Sequence, residues 1–158
     1  MRIAVISDTH GKINRCIYAI EKLPHIDAII HLGDVYDDAE DLSDYFTQTP
    51  VYAVGGNCGL SFRAETDRLI ELGGLRIFLT HGHMYSVKQS LTALAKKVKE
   101  VGADIGMFGH THLCFDSYVD NVRLINPGSA SIPARGECTM GILEIKKEGL
   151  PSFTFKEI

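Results

Sequence analysis

Five short polar strings punctuate this chain: Asp8-Thr9-His10, Gly33-Asp34, Gly55-Gly56-Asn57-Cys58, Thr80-His81-Gly82-His83 and Gly109-His110-Thr111-His112. Each follows an apolar run that reads as a buried strand, and this alternation restricts the folds open to the chain. Residues 2–7, 28–32 and 51–54 are the first three runs. Between them, residues 12–23 carry Ile13, Ile17 and Ile20 at helical spacing with Pro24 just beyond, and the acidic, amphipathic stretch 37–46 is followed by Pro50. A β–α–β–α–β alternation predicts a mostly parallel sheet with right-handed crossovers.

The second half changes character. Residues 68–72 and 75–79 flank Gly73-Gly74, residues 115–119 and 122–125 flank Asp120-Asn121, and residues 139–145 and 152–155 flank 146–149. Each is a hairpin signal. Residues 86–101 read as a helix with Val87, Leu91, Leu94, Ala95 and Val98 on one face, and 104–108 as another buried strand. Parallel units first and hairpins later imply two mixed sheets packed together with helices outside, a four-layer α/β/β/α sandwich. At 158 residues the expectation is one domain over 1–158.

The strings supply carboxylates, imidazoles and one carboxamide to a single edge of a sheet, where sites form in open α/β folds. Asp8 and His10 sit at i and i+2 past a strand, Asp34 offers two oxygens and can bridge, and Asn57 adds a neutral oxygen. His81, His110 and His112 add nitrogens. Imidazole plus carboxylate suits divalent transition metals, and a bridging aspartate suits a pair. Such a pair lowers the pKa of a shared water and clamps phosphoryl oxygens, so the expected chemistry is two-metal hydrolysis. Composition agrees: 45% hydrophobic and 23% charged residues are ordinary for a globular enzyme, and a formal charge of −4 argues against an extended nucleic-acid surface. No apolar run approaches membrane-span length, and the four scattered cysteines show no C-x-x-C pairing, so a cytoplasmic location is expected.

On these strings, together with Ile125-Asn126-Pro127-Gly128-Ser129, the chain resembles the calcineurin-like metallophosphoesterase superfamily, and within it the small stand-alone phosphodiesterase branch of bacteria and archaea. The resemblance implies the α/β/β/α sandwich and two divalent ions, manganese first, with nickel, iron, cobalt or zinc as alternatives. It assigns Asp8, His10, Asp34 and His112 to one ion, and Asp34, Asn57, His81 and His110 to the other. The implied function is hydrolysis of phosphodiester bonds by a hydroxide activated at the metal pair, with Asp34, Asn57 and His83 as candidate catalytic residues. Two positions depart from the superfamily pattern. Cys58 stands where many relatives have a histidine that serves the leaving group, a substitution shared by the small branch, and Gly59 stands where that branch commonly has aspartate.

Cys58 and Arg135 are candidate substrate contacts. His31 reads as a buried, hydrogen-bonded core residue, His25 as part of a surface turn, and Cys114 and Cys138 as packing residues. Tyr36 has the wrong spacing for a tyrosinate ligand, and the cluster Asp37, Asp38, Glu40 and Asp41 reads as a solvated helix face. The expected partner is a small phosphodiester or nucleotide, with no membrane and with self-association compatible with the edge strands. Two alternatives stay open: a phosphomonoesterase or nucleotide phosphatase on the same site, and a metal-binding protein-interaction scaffold.

Overall fold

A computed structural model describes residues 1–58 and 64–158 of the chain, so Gly59 lies outside the described residues. Two five-stranded mixed sheets form the centre. The first runs in the order β10 (Ser152–Glu157), β9 (Thr139–Glu144), β1 (Arg2–Ile6), β2 (Ala28–His31), β3 (Val51–Ala53). Its β1, β2 and β3 are parallel, β9 runs antiparallel to β1, and β10 antiparallel to β9. The second runs β4 (Asp67–Leu72), β5 (Leu75–Thr80), β6 (Ile105–Met107), β8 (Val122–Pro127), β7 (Cys114–Val119). There β5, β6 and β8 are parallel, with an antiparallel hairpin at each flank.

The period-two side-chain rule divides each strand between two layers. Ile3, Val5, Ala28, Ile30 and Leu143 of one sheet meet Ile70, Ile77, Leu79, Ile105, Met107 and Ile125 of the other in the central core. On the outer face of the first sheet, Ala4, Ile6, Ile29 and Ile142 receive Ile13, Cys16, Ala19 and Ile20 of α1 (Ile13–Glu21) and Leu42 of α2 (Asp37–Tyr45). On the outer face of the second, Phe78, Val122 and Leu124 receive Leu94, Ala95 and Val98 of α3 (Thr92–Glu100). This is the four-layer α/β/β/α sandwich.

Two expectations need correction. The helix expected over 86–101 begins only at Thr92, because Ser86 turns left-handed (φ 52°) and the Ser90 hydroxyl accepts the Thr92 N–H at 3.2 Å. A single 3₁₀ turn, His83–Tyr85, precedes it. Cys114 does not pack in the core: it is exposed on β7, whereas Cys138 is buried.

Candidate metal centre

Every candidate ligand follows the carboxyl end of a strand: Asp8 and His10 after β1, Asp34 after β2, Asn57 after β3, His81 after β5, and His110 and His112 after β6. Both sheets therefore contribute to one edge. Asp8, His10, Asp34, His110 and His112 all have positive φ, between 48° and 98°. L-residues disfavour that region, and its clustering at polar residues marks a functional site.

The ligand loops approach too closely for side chains between them. A Cβ on Gly56 would stand 2.2 Å from the Asp34 nitrogen, and one on Gly109 would stand 2.0 Å from the Ser7 Oγ. The Asn126-Pro127-Gly128-Ser129 segment acts as a buttress. Asn126 Nδ2 donates to the Gly109 carbonyl (2.9 Å) and to Thr111 Oγ1 (3.0 Å), while Ser129 and Ser131 hydroxyls both donate to the Asp8 carbonyl at 2.9 Å.

Asp8 and Asp34 are buried, and His81 is wholly so. His81 Nδ1 donates to the Leu32 carbonyl at 2.8 Å, which leaves Nε2 facing Asn57 Oδ1 (2.9 Å) and Asp8 Oδ1 (3.9 Å). His112 Nδ1 likewise donates to the Ile132 carbonyl at 2.6 Å, with Nε2 3.2 Å from Asp8 Oδ1. A backbone carbonyl that fixes the ring tautomer and aims the other nitrogen is how metal-ligating histidines are held. His10 Nδ1 stands 2.6 Å from Asp34 Oδ2 without hydrogen-bond alignment, so that buried oxygen has no donor among the described residues. Lone pairs converging on buried carboxylates with no proton between them are satisfied by a cation. The donor set fits divalent metal.

Among the described residues, three triads bring their donor atoms within 4.8 Å of one another: Asp8–His10–His112, Asp8–Asp34–His81 and His10–Asp34–Cys58. Asp34 and Asp8 each belong to two. The His110 ring adjoins the His81 ring, centroids 5.0 Å apart, and its backbone N–H donates to Asp8 Oδ2 at 3.1 Å. His83 sits 5.5 Å from His81 and 6.1 Å from His110 between ring centroids, with Nδ1 buried and without a partner among the described residues. Cys58 is exposed beside the centre and its backbone N–H donates to the Asp34 carbonyl at 3.2 Å. Arg135 is exposed on the 128–138 loop, next to Ala134, whose N–H holds the His112 carbonyl at 3.0 Å.

The electrostatics favour ligation. Burial pushes His110 down to about 4, helped by the nearby charges of His81 and Lys88, and burial also lowers His81, so both rings are neutral donors. Burial raises Asp8, but the neighbouring His112 and His81 imidazoles, with the Ser7 hydroxyl, outweigh it and its pKa lies below the usual value. Asp8 in turn raises His112. A hydrogen bond to Asp34 pushes the Cys58 thiol up to about 11.

The expected solvated face at the start of α2 is wrong for one member: Asp38 is 4% exposed and accepts from the Thr9 hydroxyl and, at 2.9 Å, from the Gly11 N–H. The signal for it was its spacing of four from Leu42, which puts both on the buried face. Lys88 was also missed, having no motif around it. His31 is fully buried and hydrogen-bonded, and His25 is exposed beside Asp27.

A four-layer sandwich that gathers carboxylates and imidazoles at the carboxyl edge of both sheets defines a class of metal-dependent phosphoester hydrolases. The chain belongs to the calcineurin-like phosphoesterase superfamily, whose domain matches residues 1–148. It is 32% identical over 135 residues to the probable metallophosphoesterase YsnB of Bacillus subtilis, covering 84% of this chain and 77% of that protein. It is 30% identical over 164 residues to phosphodiesterase MJ0936 of Methanocaldococcus jannaschii, covering 94% and 95%. A solved structure described as a novel archaeal phosphodiesterase aligns over 100% of both chains with a TM-score of 0.78 and 25% identity.

Proposed function

We propose that this phosphoesterase is a phosphodiesterase that works with two divalent ions, manganese first. Asp8, His10, Asp34 and His112 would hold one, and Asp34, Asn57, His81 and His110 the other, with Asp34 between them. The observation that carries this reading is the buried convergence on Asp8, beside Asp34, of the His81 and His112 nitrogens whose rings are held at Nδ1 by backbone carbonyls. Bound there, the ions supply positive charge for the phosphoryl oxygens and lower the pKa of a water.

The remaining work falls to the chain. Asn57 contributes an oxygen that bears no proton, so its pull on an ion is independent of pH. His83, whose ring lies beside those of His81 and His110, is the residue we assign to hand a proton to the leaving oxygen. Cys58, a thiol with its pKa near 11, offers a weak hydrogen bond to the phosphoryl group and no useful general acid. Lys88, whose charge lowers His110, and Arg135, which follows the residue that holds the His112 carbonyl, would supply cations for an anionic ester.

The test is turnover of bis-p-nitrophenyl phosphate against p-nitrophenyl phosphate, using metal-stripped protein reloaded with manganese beside a His110→Ala control. Preferential diester hydrolysis that needs metal and vanishes in the control supports the reading. Preference for the monoester would make the protein a phosphomonoesterase, and ion binding without turnover of either would leave a scaffold.

A further inference from the structure

Thr9, His31 and Asp38 form a polar chain beneath the centre that metal ligation does not use. Thr9 and His31 are fully buried and Asp38 is 4% exposed. The Gly33 N–H donates to His31 Nδ1 at 3.3 Å, so the ring proton sits on Nε2, 3.1 Å from Thr9 Oγ1. The threonine hydroxyl then donates its one proton to Asp38 Oδ2, which also accepts the Gly11 N–H at 2.9 Å. Each group has one role, and the chain runs in one direction. It joins the end of β2, the loop carrying Asp34, the loop carrying Asp8 and His10, and the first turn of α2.

We propose that the His31–Thr9–Asp38 chain is a positioning device for one half of the metal centre, locking the Asp8–His10 loop against the Asp34 loop. The proposal rests on reading the site as a two-ion centre. The physical need is in the backbone: Asp8 (φ 54°), His10 (φ 48°), Gly11 (φ 74°), Gly33 (φ 83°) and Asp34 (φ 98°) are all left-handed. Segments with several L-residues in that region relax unless surrounding bonds over-determine them. Besides the chain, a direct bond between the loops is Asp8 N–H to the Gly33 carbonyl, at 3.3 Å. Thr9 lies between two ligands, so pinning its hydroxyl from both sides fixes the direction in which Asp8 and His10 project.

The other half has separate anchors. His81 is fixed by the Leu32 carbonyl, and the His110 loop is held by Asn126. Loss of the chain should therefore loosen the ion assigned to Asp8, His10, Asp34 and His112, which has ligands on both tied loops, more than its neighbour, which shares Asp34 alone of these. A buried polar trio that merely stabilised the fold would give no such asymmetry.

The experiment is a manganese titration followed by electron paramagnetic resonance, which separates a coupled pair of ions from a single ion. Wild type is expected to fill both sites. Thr9→Val, which keeps the shape and loses both bonds, should weaken one ion by about 10- to 100-fold, the usual effect of losing a group that orients ligands. Thr9→Ser and Asp38→Asn, which keep a hydroxyl and an acceptor oxygen, should restore it. Both ions at wild-type affinity in Thr9→Val, or equal loss of both from a folded protein, would overturn the proposal. Metal-free wild type gives a second reading by nitrogen-15 resonance: His31 must carry its proton on Nε2, and an Nδ1–H tautomer overturns the chain even if Thr9→Val fails to fold. Wild type that takes up no manganese would refute the proposed function instead. The chain is then judged on metal-free shifts of Asp8, His10 and Asp34, which must move in Thr9→Val and return in Thr9→Ser.

Discussion

At the residue scale, the centre holds its ligands by making two backbones touch. A methyl group on Gly56 would meet the Asp34 nitrogen at 2.2 Å and its Cα at 2.4 Å, and neither can yield as a side-chain tip would. Gly56→Ala should therefore destabilise the metal-free protein by about 3 kcal/mol or more, at the upper end of overpacking costs. It should also abolish manganese uptake, with urea unfolding and metal content as the two measurements. His31 carries a second prediction. Burial holds its pKa at about 4, against 6.5 in the unfolded chain. In that window the unfolded state binds a proton that the folded state refuses, so stability is full above the upper value and falls as pH drops towards the lower. The loss is on the order of 3 kcal/mol. Between neutral pH and about pH 4.5, urea midpoints of metal-free protein should fall less for His31→Gln than for wild type; equal falls would refute it. His81 and His110, also lowered by burial, add to the slope in the same sense, and His112, raised by Asp8, opposes it.

At the scale of elements, turn chemistry decided how much could be read from sequence. Gly73-Gly74 and Asp120-Asn121 each announced a hairpin, and both form, closing on the pairs Leu72–Leu75 and Val119–Val122. Asp120 (φ 49°) and Asn121 (φ 62°) have the two positive φ values of the turn whose twist matches paired strands. Glycine is the residue best suited to the second position, so Asn121→Gly should raise stability by about 0.5 kcal/mol. Thermal unfolding would register the gain, and manganese affinity should not change, since the turn is remote from the ligand loops. The start of α3 was not legible, because a left-handed Ser86 and the Ser90 side chain interrupt a run whose apolar spacing looks continuous. Asp38 was illegible for a related reason: four acids in five residues read as solvated until the phase of α2 turns one of them inward. Thr9, between two conspicuous ligand candidates, gave no periodic signal at all.

At the scale of the whole molecule, the candidate ligands bind the two sheets to each other. Asp8, His10, Asp34 and Asn57 belong to the sheet built on β1, whereas His81, His110 and His112 belong to the sheet built on β5 and β6. Elsewhere the sheets meet through apolar side chains, which are non-directional and tolerate sliding. Ions at this edge would add a directional clamp across the interface, and the buried carboxylates of Asp8 and Asp34 would exchange mutual repulsion for attraction. Metal bound only by the native state stabilises it by mass action, about 2.7 kcal/mol for each site held at a hundredfold excess over its Kd. Adding manganese to stripped protein should therefore raise the temperature of a single cooperative transition in which both sheets melt together, and a chelator should return it. His110→Ala, with one ligand gone from the second sheet, should keep the metal-free transition near wild type and lose much of the manganese-induced rise. A rise that is undiminished in His110→Ala would place the stabilising ion away from His110. Separate melting of the two sheets in the presence of manganese would show that no clamp joins them.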